Sequence, residues 1–182
     1  MASGGVAVLS EGVRTAGASV RAAAPAARFV FRGRDAAVAA AEGALGTPLP
    51  LEPCRASQSV GRIALWLGPD EWLLIAPRSE GELVASVLAK GLGDTPHALV
   101  DVSDRNAALI VSGPAVEDVL SAGCPLDLDQ AAFPVGMCTR TLFAKAEIVL
   151  WRTAAAEFRI EVVRSFLPYV EGVLAVAVKD GG

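Results

Sequence analysis

The sequence predicts an α+β fold in which helices pack on antiparallel sheets. Three observations predict it: an apolar hairpin pattern between Arg62 and Ala76, three consecutive strand-like runs between residues 139 and 163, and helical stretches that lie between or after these runs. Because turns join most of the strands, antiparallel pairing is favoured over the helical crossovers of a parallel sheet.

The first half of the chain begins with a short β-prone run at Arg28–Arg32. An Ala-rich helix is predicted over Asp35–Leu45, with Asp35 as its N-cap. In the hairpin, Pro69 suits the second position of a type I turn, since its φ is preset. A helix is then expected over Ser79–Lys90, where Ser79 and Glu82 have the spacing of a capping box.

The second half repeats the order of two strands followed by a helix. Strands are predicted at Leu99–Val102 and Ala107–Val111, and Gly113 and Pro114 open a helix that ends near Ala122. The order resembles that of residues 63–90, which indicates a weak internal repeat. The last third is predicted to hold three antiparallel strands and a final amphipathic helix, at Thr139–Ala144, Glu147–Arg152, Glu157–Val163 and Pro168–Val178.

The composition indicates a folded chain with more apolar surface than a solvated monomer needs. Hydrophobic residues make up 53% and charged residues 20% of the 182 residues, which excludes a disordered chain. The mean hydropathy is +0.46, yet no apolar run reaches the about 18–20 residues that span a bilayer. The net charge of −4 and the lack of a basic stripe argue against nucleic-acid binding. We therefore expect no membrane or nucleic-acid partner, and contact with another protein.

Residues 1–27 are mostly Ala, Gly, Ser and Val, and charges interrupt them where an export signal would be apolar. We expect a flexible N-terminal arm here, a single domain over residues 28–182, and a cytoplasmic protein. The three cysteines, Cys54, Cys124 and Cys138, lack metal-ligand spacing and are interpreted as reduced thiols of the core.

Most signatures of catalysis are missing from the sequence. There is no GxSxG, Walker loop, GxGxxG, HExxH or paired CxxC motif. The single histidine, His97, follows Thr95 and Pro96 in a predicted loop, which favours a surface role. The acidic residues Asp101 and Asp104 suit turns. The residues alone therefore predict no catalytic group, no cofactor site and no metal site in this chain.

Two sets of side chains are candidates for a protein interface. The tryptophans Trp66 and Trp72 flank one tight turn and are interpreted as core or interface anchors rather than a ligand surface. Basic residues lie on or beside the last three strands, either as a solvated sheet face or as the polar rim of an interface, where Arg is favoured. The basic candidates are Arg140, Lys145, Arg152 and Arg159.

Several ordered motifs resemble a known family. They are LWLGPDEWLLIAP from Leu65, VDVSDRNAALIVSGPAVEDVLSAGCPLDL from Val100, FPVGMCTRTLFAKAEIVLWR from Phe133 and FRIEVVRSFLPYV from Phe158. Together they resemble the gamma subunit of heterotetrameric sarcosine oxidase, which is in turn similar to the N-terminal part of the folate-binding glycine-cleavage T-protein. The resemblance covers about residues 28–178 and implies two similar ferredoxin-like halves.

The resemblance also implies a function. The family's complex of alpha, beta, gamma and delta subunits oxidatively demethylates sarcosine to glycine and releases hydrogen peroxide. The methyl carbon passes to tetrahydrofolate or leaves as formaldehyde. FAD, FMN, NAD, tetrahydrofolate and zinc are expected in the partner chains, so that this chain has a non-catalytic, structural role. The amine that such a complex oxidises is read by other chains.

The alternative is a stand-alone, folate-binding aminomethyltransferase-like protein. In T-proteins, a strand carries a short acidic residue near the folate, after a glycine pair. The resemblance places Glu147 near that acid as a possible folate remnant, whereas Lys145 and Ala146 stand where the glycines would be. Side chains at these two positions occupy space that a ligand would need, which argues against folate binding.

Overall fold

The computed structural model describes residues 12–180. The chain divides into two compact units: unit 2 comprises Pro25–Asn106 and Gly136–Thr139, and unit 1 comprises Ala107–Val135 with the described parts of Met1–Ala24 and Arg140–Gly182. Each unit has one sheet and two helices. The strands of the described residues are β1 (Val13–Arg14), β2 (Ser19–Ala22), β3 (Ala26–Gly33), β4 (Ala56–Ser59), β5 (Arg62–Gly68), β6 (Glu71–Pro77), β7 (His97–Asp101), β8 (Asn106–Ser112), β9 (Cys138–Phe143), β10 (Ala146–Ala154) and β11 (Glu157–Val163). The helices are α1 (Ala36–Leu45), α2 (Gly81–Leu92), α3 (Val116–Ser121) and α4 (Leu167–Asp180).

Unit 2 has a five-stranded sheet in the order β4-β5-β6-β3-β7, and every neighbouring pair is antiparallel. With α1 after β3 and α2 after β6, the strands β7-β3-β6-β5 form the βαββαβ arrangement of a ferredoxin-like unit. Its core joins apolar side chains of the sheet, such as Phe31 and Leu74, to those of the helices, such as Ala41 and Leu88.

Unit 1 has a six-stranded sheet in the order β1-β2-β8-β11-β10-β9. The elements β8, α3, β10, β11 and α4 follow the same order as β3, α1, β5, β6 and α2 of unit 2. The place that β7 takes beside β3 in unit 2 is taken beside β8 by β2, which comes from the start of the chain. The predicted α+β class, with antiparallel strand pairs and packed helices, is confirmed.

The prediction of a flexible arm over residues 1–27 is wrong for the part that the structure describes. Strand β2 pairs antiparallel with β8 from Ser19↔Ser112 to Ala22↔Leu109, and Val20 is buried. The composition of small residues concealed this strand, because its partner lies about ninety positions away in the sequence and strand propensity depends strongly on such packing. Residues 1–11 of the expected arm lie outside the described residues.

Two further expectations about organisation differ from the structure. Instead of one domain over residues 28–182, the chain forms two compact units, one of which includes residues before position 28. The expected repeat is also out of phase, since β7 and β8 belong to different sheets. The two repeats begin at β3 and at β8, each a strand followed by a helix, a hairpin and a second helix.

The helix starts also differ from their predicted capping. Asp35 precedes α1 with φ 41°, but its side chain makes no capping hydrogen bond. A short 3₁₀ turn, Arg78–Glu80, precedes α2, so the helix begins at Gly81 and the predicted capping box of Ser79 and Glu82 does not form. Glu80 instead accepts hydrogen bonds from the Arg62 guanidinium at 3.0 and 3.1 Å.

Candidate functional site

The two hairpin tryptophans lie opposite each other on β5 and β6 in unit 2. Trp72 is fully buried, its ring lies 5.9 Å from that of Phe31, and its Nε1–H donates to the carbonyl of Pro50 at 2.8 Å. Trp66 is partly buried against the same core. Of the two alternatives, core or interface anchor, the core position describes Trp72, whose indole is satisfied inside unit 2.

The DVSDR segment begins at the end of β7 and is hydrogen-bonded to Arg28 of β3 in unit 2. The Ser103 N–H donates to Asp101 Oδ1 at 2.8 Å, while Ser103 Oγ accepts from the Arg28 N–H at 2.9 Å. The hydrogen bonds from Ser103 lower the pKa of Asp101 against the opposing effect of burial, with help from the nearby charge of Arg78. These residues act as turn-formers and fasten a buried backbone, in line with the turn interpretation.

Arg152 lies inside unit 1 with its side chain 1% exposed. Its guanidinium donates to the carbonyls of Leu128 and Phe133, both at 2.9 Å, and to the carbonyl of Ala155 through Nε and Nη2. Nη2 also pairs with the carboxylate of Glu117. Arg152 therefore holds the loop after α3 and the β10–β11 turn together, and its prediction as an interface residue is wrong.

Strand alternation explains the position of Arg152 and was the signal that sequence reasoning missed. Ile148, Leu150 and Arg152 share one face of β10 because side chains alternate between the faces of a strand. That face packs against the core, where Arg152 lies opposite Phe158 with its guanidinium carbon 4.8 Å from the ring centroid. The planar, delocalised guanidinium suits such a stacked position.

The other face of β10 and β11 carries Arg159, which lies opposite Trp151. Arg159 donates from Nε to Glu161 Oε1 at 2.8 Å, and both side chains are largely buried, at 12% and 1% exposed. An ion pair of this kind needs both partners, because either charge alone is costly to bury. Little of Arg159 is therefore accessible, although its predicted part in an interface is not tested by this geometry.

Arg140 on β9, Lys145 in the β9–β10 turn and Glu147 on β10 are exposed. Exposure fits an interface rim and a solvated face equally, so the interface role of Arg140 and Lys145 stays a prediction. The Glu147 side chain makes no hydrogen bond or ion pair with any other residue in the range 12–180 that the structure describes. Ala146 before it is fully buried, so its Cβ fills space beside the strand. A folate site needs several converging polar groups, and the residues at 145–147 do not fit tetrahydrofolate.

The remaining side chains with reactive groups are His97 and the three cysteines. His97 is exposed on the edge strand β7, and its Nδ1 lies 2.7 Å from the Thr95 carbonyl oxygen. Burial raises the pKa of the Cys138 thiol to about 12, which keeps it protonated and poorly nucleophilic. Across the described residues, all three cysteines are unpaired, and no three His, Cys, Asp or Glu side chains are arranged to hold a metal ion. No helix within positions 12–180 is long and apolar enough to cross a membrane.

One surface escaped sequence reasoning altogether. Phe166, Tyr169 and Val176 are exposed along α4 and the short turn before it, and Val173 lies between them. Their spacing of three and four residues places them on one side of the helix. The same spacing was readable from the sequence, but the buried stripe of Val170, Leu174 and Val178 accounts for the amphipathic pattern on its own.

Comparison with solved structures places this geometry in a fold class. The chain is similar to glycine cleavage system aminomethyltransferase T from Bartonella henselae, with a TM-score of 0.69 at 15% identity over 91% of this chain and 50% of that chain. It is also similar to a chain of heterotetrameric sarcosine oxidase from Corynebacterium sp. U-96 in complex with pyrrole 2-carboxylate. That match has a TM-score of 0.86 at 30% identity and covers 93% of this chain and 88% of that chain. The first likeness shows the T-protein type of fold, as the sequence predicted.

The sequence comparisons give the family. A family-wide profile described as sarcosine oxidase, gamma subunit family, matches residues 32–179. The sarcosine oxidase subunit gamma of Corynebacterium sp. (strain P-1) is 42% identical over 123 residues, which are 67% of this chain and 60% of that protein. The corresponding subunit from an Arthrobacter species is 43% identical over 63% of this chain and 56% of its own length. The chain therefore belongs to the sarcosine oxidase gamma subunit family, and the aligned part spans less than two thirds of these relatives.

Proposed function

We propose that this chain is a non-catalytic subunit of an oxidase complex of the sarcosine oxidase type. Its role is to pack against the flavin-bearing chains and to fix their arrangement. The observation that carries the proposal is the use of Arg152, the most buried arginine of unit 1, as an internal clamp on three carbonyls and Glu117. The Arg152 side chain is committed to the fold in this way and is not available to bind or activate a substrate.

The complex is proposed to demethylate sarcosine oxidatively to glycine with release of hydrogen peroxide. The one-carbon unit passes to tetrahydrofolate or leaves as formaldehyde. In this proposal the partners are the alpha, beta and delta subunits, which hold the FAD, FMN, NAD, tetrahydrofolate and zinc, and the complex is cytoplasmic. Support comes from membership of the gamma subunit family and from the similarity to a chain of a heterotetrameric sarcosine oxidase.

The first test uses the isolated chain. Purified alone, it should be colourless, should retain no flavin through gel filtration, and should not oxidise sarcosine. The complex purified with all its subunits serves as the positive control for both measurements. A flavin absorption spectrum that stays with the isolated chain would overturn the proposal.

The alternative function, a folate-dependent aminomethyltransferase acting alone, rests on one observation: the Glu147 carboxylate is exposed on β10. Anaerobic titration calorimetry with tetrahydrofolate separates the two functions. We expect no saturable binding to the isolated chain. Micromolar binding that is lost in Glu147→Ala but kept in Glu82→Ala, an exposed acid of α2 in unit 2, would favour the aminomethyltransferase.

A further inference from the structure

An apolar groove lies between α3 and α4 in unit 1. It has a volume of about 550 Å³. Its lining consists of small or β-branched residues with an aspartate on each side: Asp118, Ala122, Gly172, Val173, Val176, Ala177 and Asp180. Beyond the groove, the exposed side of α4 continues through Tyr169 to Phe166. Three of the nine large apolar residues that are exposed within the described chain lie on this one segment, so the surface is a concentrated patch rather than scattered exposure.

Gly172 shows that the groove provides room for atoms from outside the chain. Apart from the backbone of its own helix, a Cβ placed on Gly172 meets no atom of the described residues within 4 Å, so packing among these residues does not require glycine there. Glycine in a helix interior lowers the stability of the helix relative to alanine. A residue without a side chain on an exposed helix face instead lets the backbone of a second helix approach closely. The distance between packed helices depends on the side chains at their contact.

The spacing of the patch fits a helical partner. Phe166, Tyr169, Val173 and Val176 recur at intervals of three, four and three residues, which is the apolar pattern of a helix that packs against another helix. The opposite stripe of α4 is already buried in unit 1. A helix with two apolar stripes has one for its own core and one for a neighbour.

The charged residues at the groove indicate which charge a partner helix should carry. Asp118 and Asp180 are exposed at the groove, and neither has an ion pair with another residue of positions 12–180. Asp180 lies at the end of the described part of α4, and the helix dipole disfavours a carboxylate in the last turn of a helix. A basic side chain of a partner beside Asp180 removes that disadvantage, although the exposed Lys179 next to it moderates the local field.

We infer that the α3–α4 groove binds an amphipathic helix of a partner subunit, with an apolar stripe flanked by Lys or Arg side chains. The partner's apolar residues lie against Tyr169, Val173 and Val176, and its basic residues lie near Asp118 and Asp180. The inference rests on the proposed role as a subunit of a larger complex, and it assigns that role to one surface.

The test measures assembly in co-expressed complexes by affinity capture of a partner subunit. Gly172→Gln fills the groove, Val176→Glu places a charge in it, and a double Asp118→Lys, Asp180→Lys variant reverses its charge. Leu83→Glu is the control, since Leu83 is an exposed apolar residue on α2 of unit 2. We expect each groove variant to lower the captured fraction of this chain at least tenfold and the control to change it less than twofold, with unchanged melting temperatures of the isolated variants.

The outcomes are distinguishable. If the wild-type chain itself is not captured, the proposed function fails together with the inference. If the wild-type chain and all groove variants are captured equally, the groove inference alone is wrong. If the isolated wild-type chain is a dimer that Gly172→Gln converts to a monomer, the occupant is a second copy of this chain and the inference is overturned. Should Val176→Glu unfold the protein, Gly172→Gln decides, because a Cβ at position 172 meets no neighbouring atom of the described residues within 4 Å.

Discussion

At the scale of single residues, buried polar groups are used to hold loops in place. Arg152 satisfies the carbonyls of Leu128, Phe133 and Ala155, which have no strand partner to supply a hydrogen bond at that point. Ser103 does the same for the backbone of Arg28. Buried backbone groups of this kind must be paired, because leaving one unpaired costs about 1–3 kcal/mol.

Replacing Arg152 by methionine should therefore destabilise the fold strongly. The variant keeps an apolar side chain over Phe158 but leaves three carbonyls and the carboxylate of Glu117 without their donor. We expect a loss of about 3–5 kcal/mol in the free energy of unfolding, measured by urea titration. Lys145→Met, at an exposed turn, should stay within about 0.5 kcal/mol of the wild type. Equal urea midpoints for the two variants would show that the clamp is not structural.

Cys138 provides a chemical test of burial. Its pKa of about 12 follows mainly from desolvation, so little reactive thiolate is present at pH 8. Treatment of the folded protein with iodoacetamide at pH 8 should modify the half-buried Cys54 first, and should modify Cys138 only after urea unfolds the chain. Peptide mass spectrometry reads both sites in the same sample. Equal rates of modification in the folded protein would contradict the assigned burial.

The contribution of Asp101 in the DVSDR turn to folding stability should depend on pH. Because its pKa in the folded state lies below the ordinary value of 3.8, its contribution to stability is present above that value and is lost as the pH falls below it. Asp101→Asn removes the charge but keeps an acceptor for the Ser103 N–H. The wild type should be more stable than the variant at pH 6, and the difference should shrink as the pH falls from 4 towards 2. If the difference in stability between the wild type and Asp101→Asn does not change with pH, the charge of the Asp101 carboxylate is not its cause.

At the scale of elements, strand β2 belongs to unit 1 because it pairs with β8. The loop after β8 approaches the turn before β2 closely: the Ala115 N–H donates to the Gly17 carbonyl at 3.0 Å, and Gly113 has φ +129°. A Cβ on Gly113 would lie 2.4 Å from the Gly17 oxygen. This glycine is therefore required by a close backbone approach and not only by the turn that precedes α3.

Gly113→Ala tests that approach. The added methyl group collides with backbone, which cannot move as easily as a side chain, so we expect a loss of about 1–3 kcal/mol in unfolding free energy. Hydrogen exchange should also be faster at the amides of β2. Gly43→Ala in α1 is the matched control, since outside the backbone of its helix the added Cβ meets no atom of the described residues within 4 Å. This substitution should raise stability by about 0.5–1 kcal/mol. If amide hydrogen exchange in β2 is unchanged in the Gly113 variant, the close approach of Gly113 to the turn before β2 does not stabilise that strand.

The same elements show how far the sequence determines the structure. The hairpin of β5 and β6 and the strands β9 to β11 were predictable because alternation and turn residues are local signals. Strand β2 was not, because the pairing of Ser19 with Ser112 joins distant parts of the chain. Arg152 was misplaced because a charged side chain in a strand is ordinarily solvated, even though its alternation with Ile148 and Leu150 indicated the buried face.

At the scale of the whole molecule, the apolar residues occupy two kinds of position. Part of it fills the cores of the two units, as Trp72 and Phe31 do in unit 2. Another part stays exposed on α4, where the proposed partner helix covers Tyr169 and Val176. Three of the nine large apolar residues that are exposed in the described chain lie on α4 and the short turn before it, so the proposed partner helix would account for part of the apolar excess.

The most direct test of the proposed structural role is reconstitution with and without this chain. The alpha, beta and delta subunits are expressed together, and this chain is either included or omitted. Native mass spectrometry and sarcosine oxidation are then measured on the same preparations, with activity expressed per bound flavin. We predict that inclusion gives a stable complex containing this chain, and that omission lowers the yield of assembled complex. Partner subunits that assemble and oxidise sarcosine equally well without this chain, while the chain elutes apart as a monomer, would contradict the account.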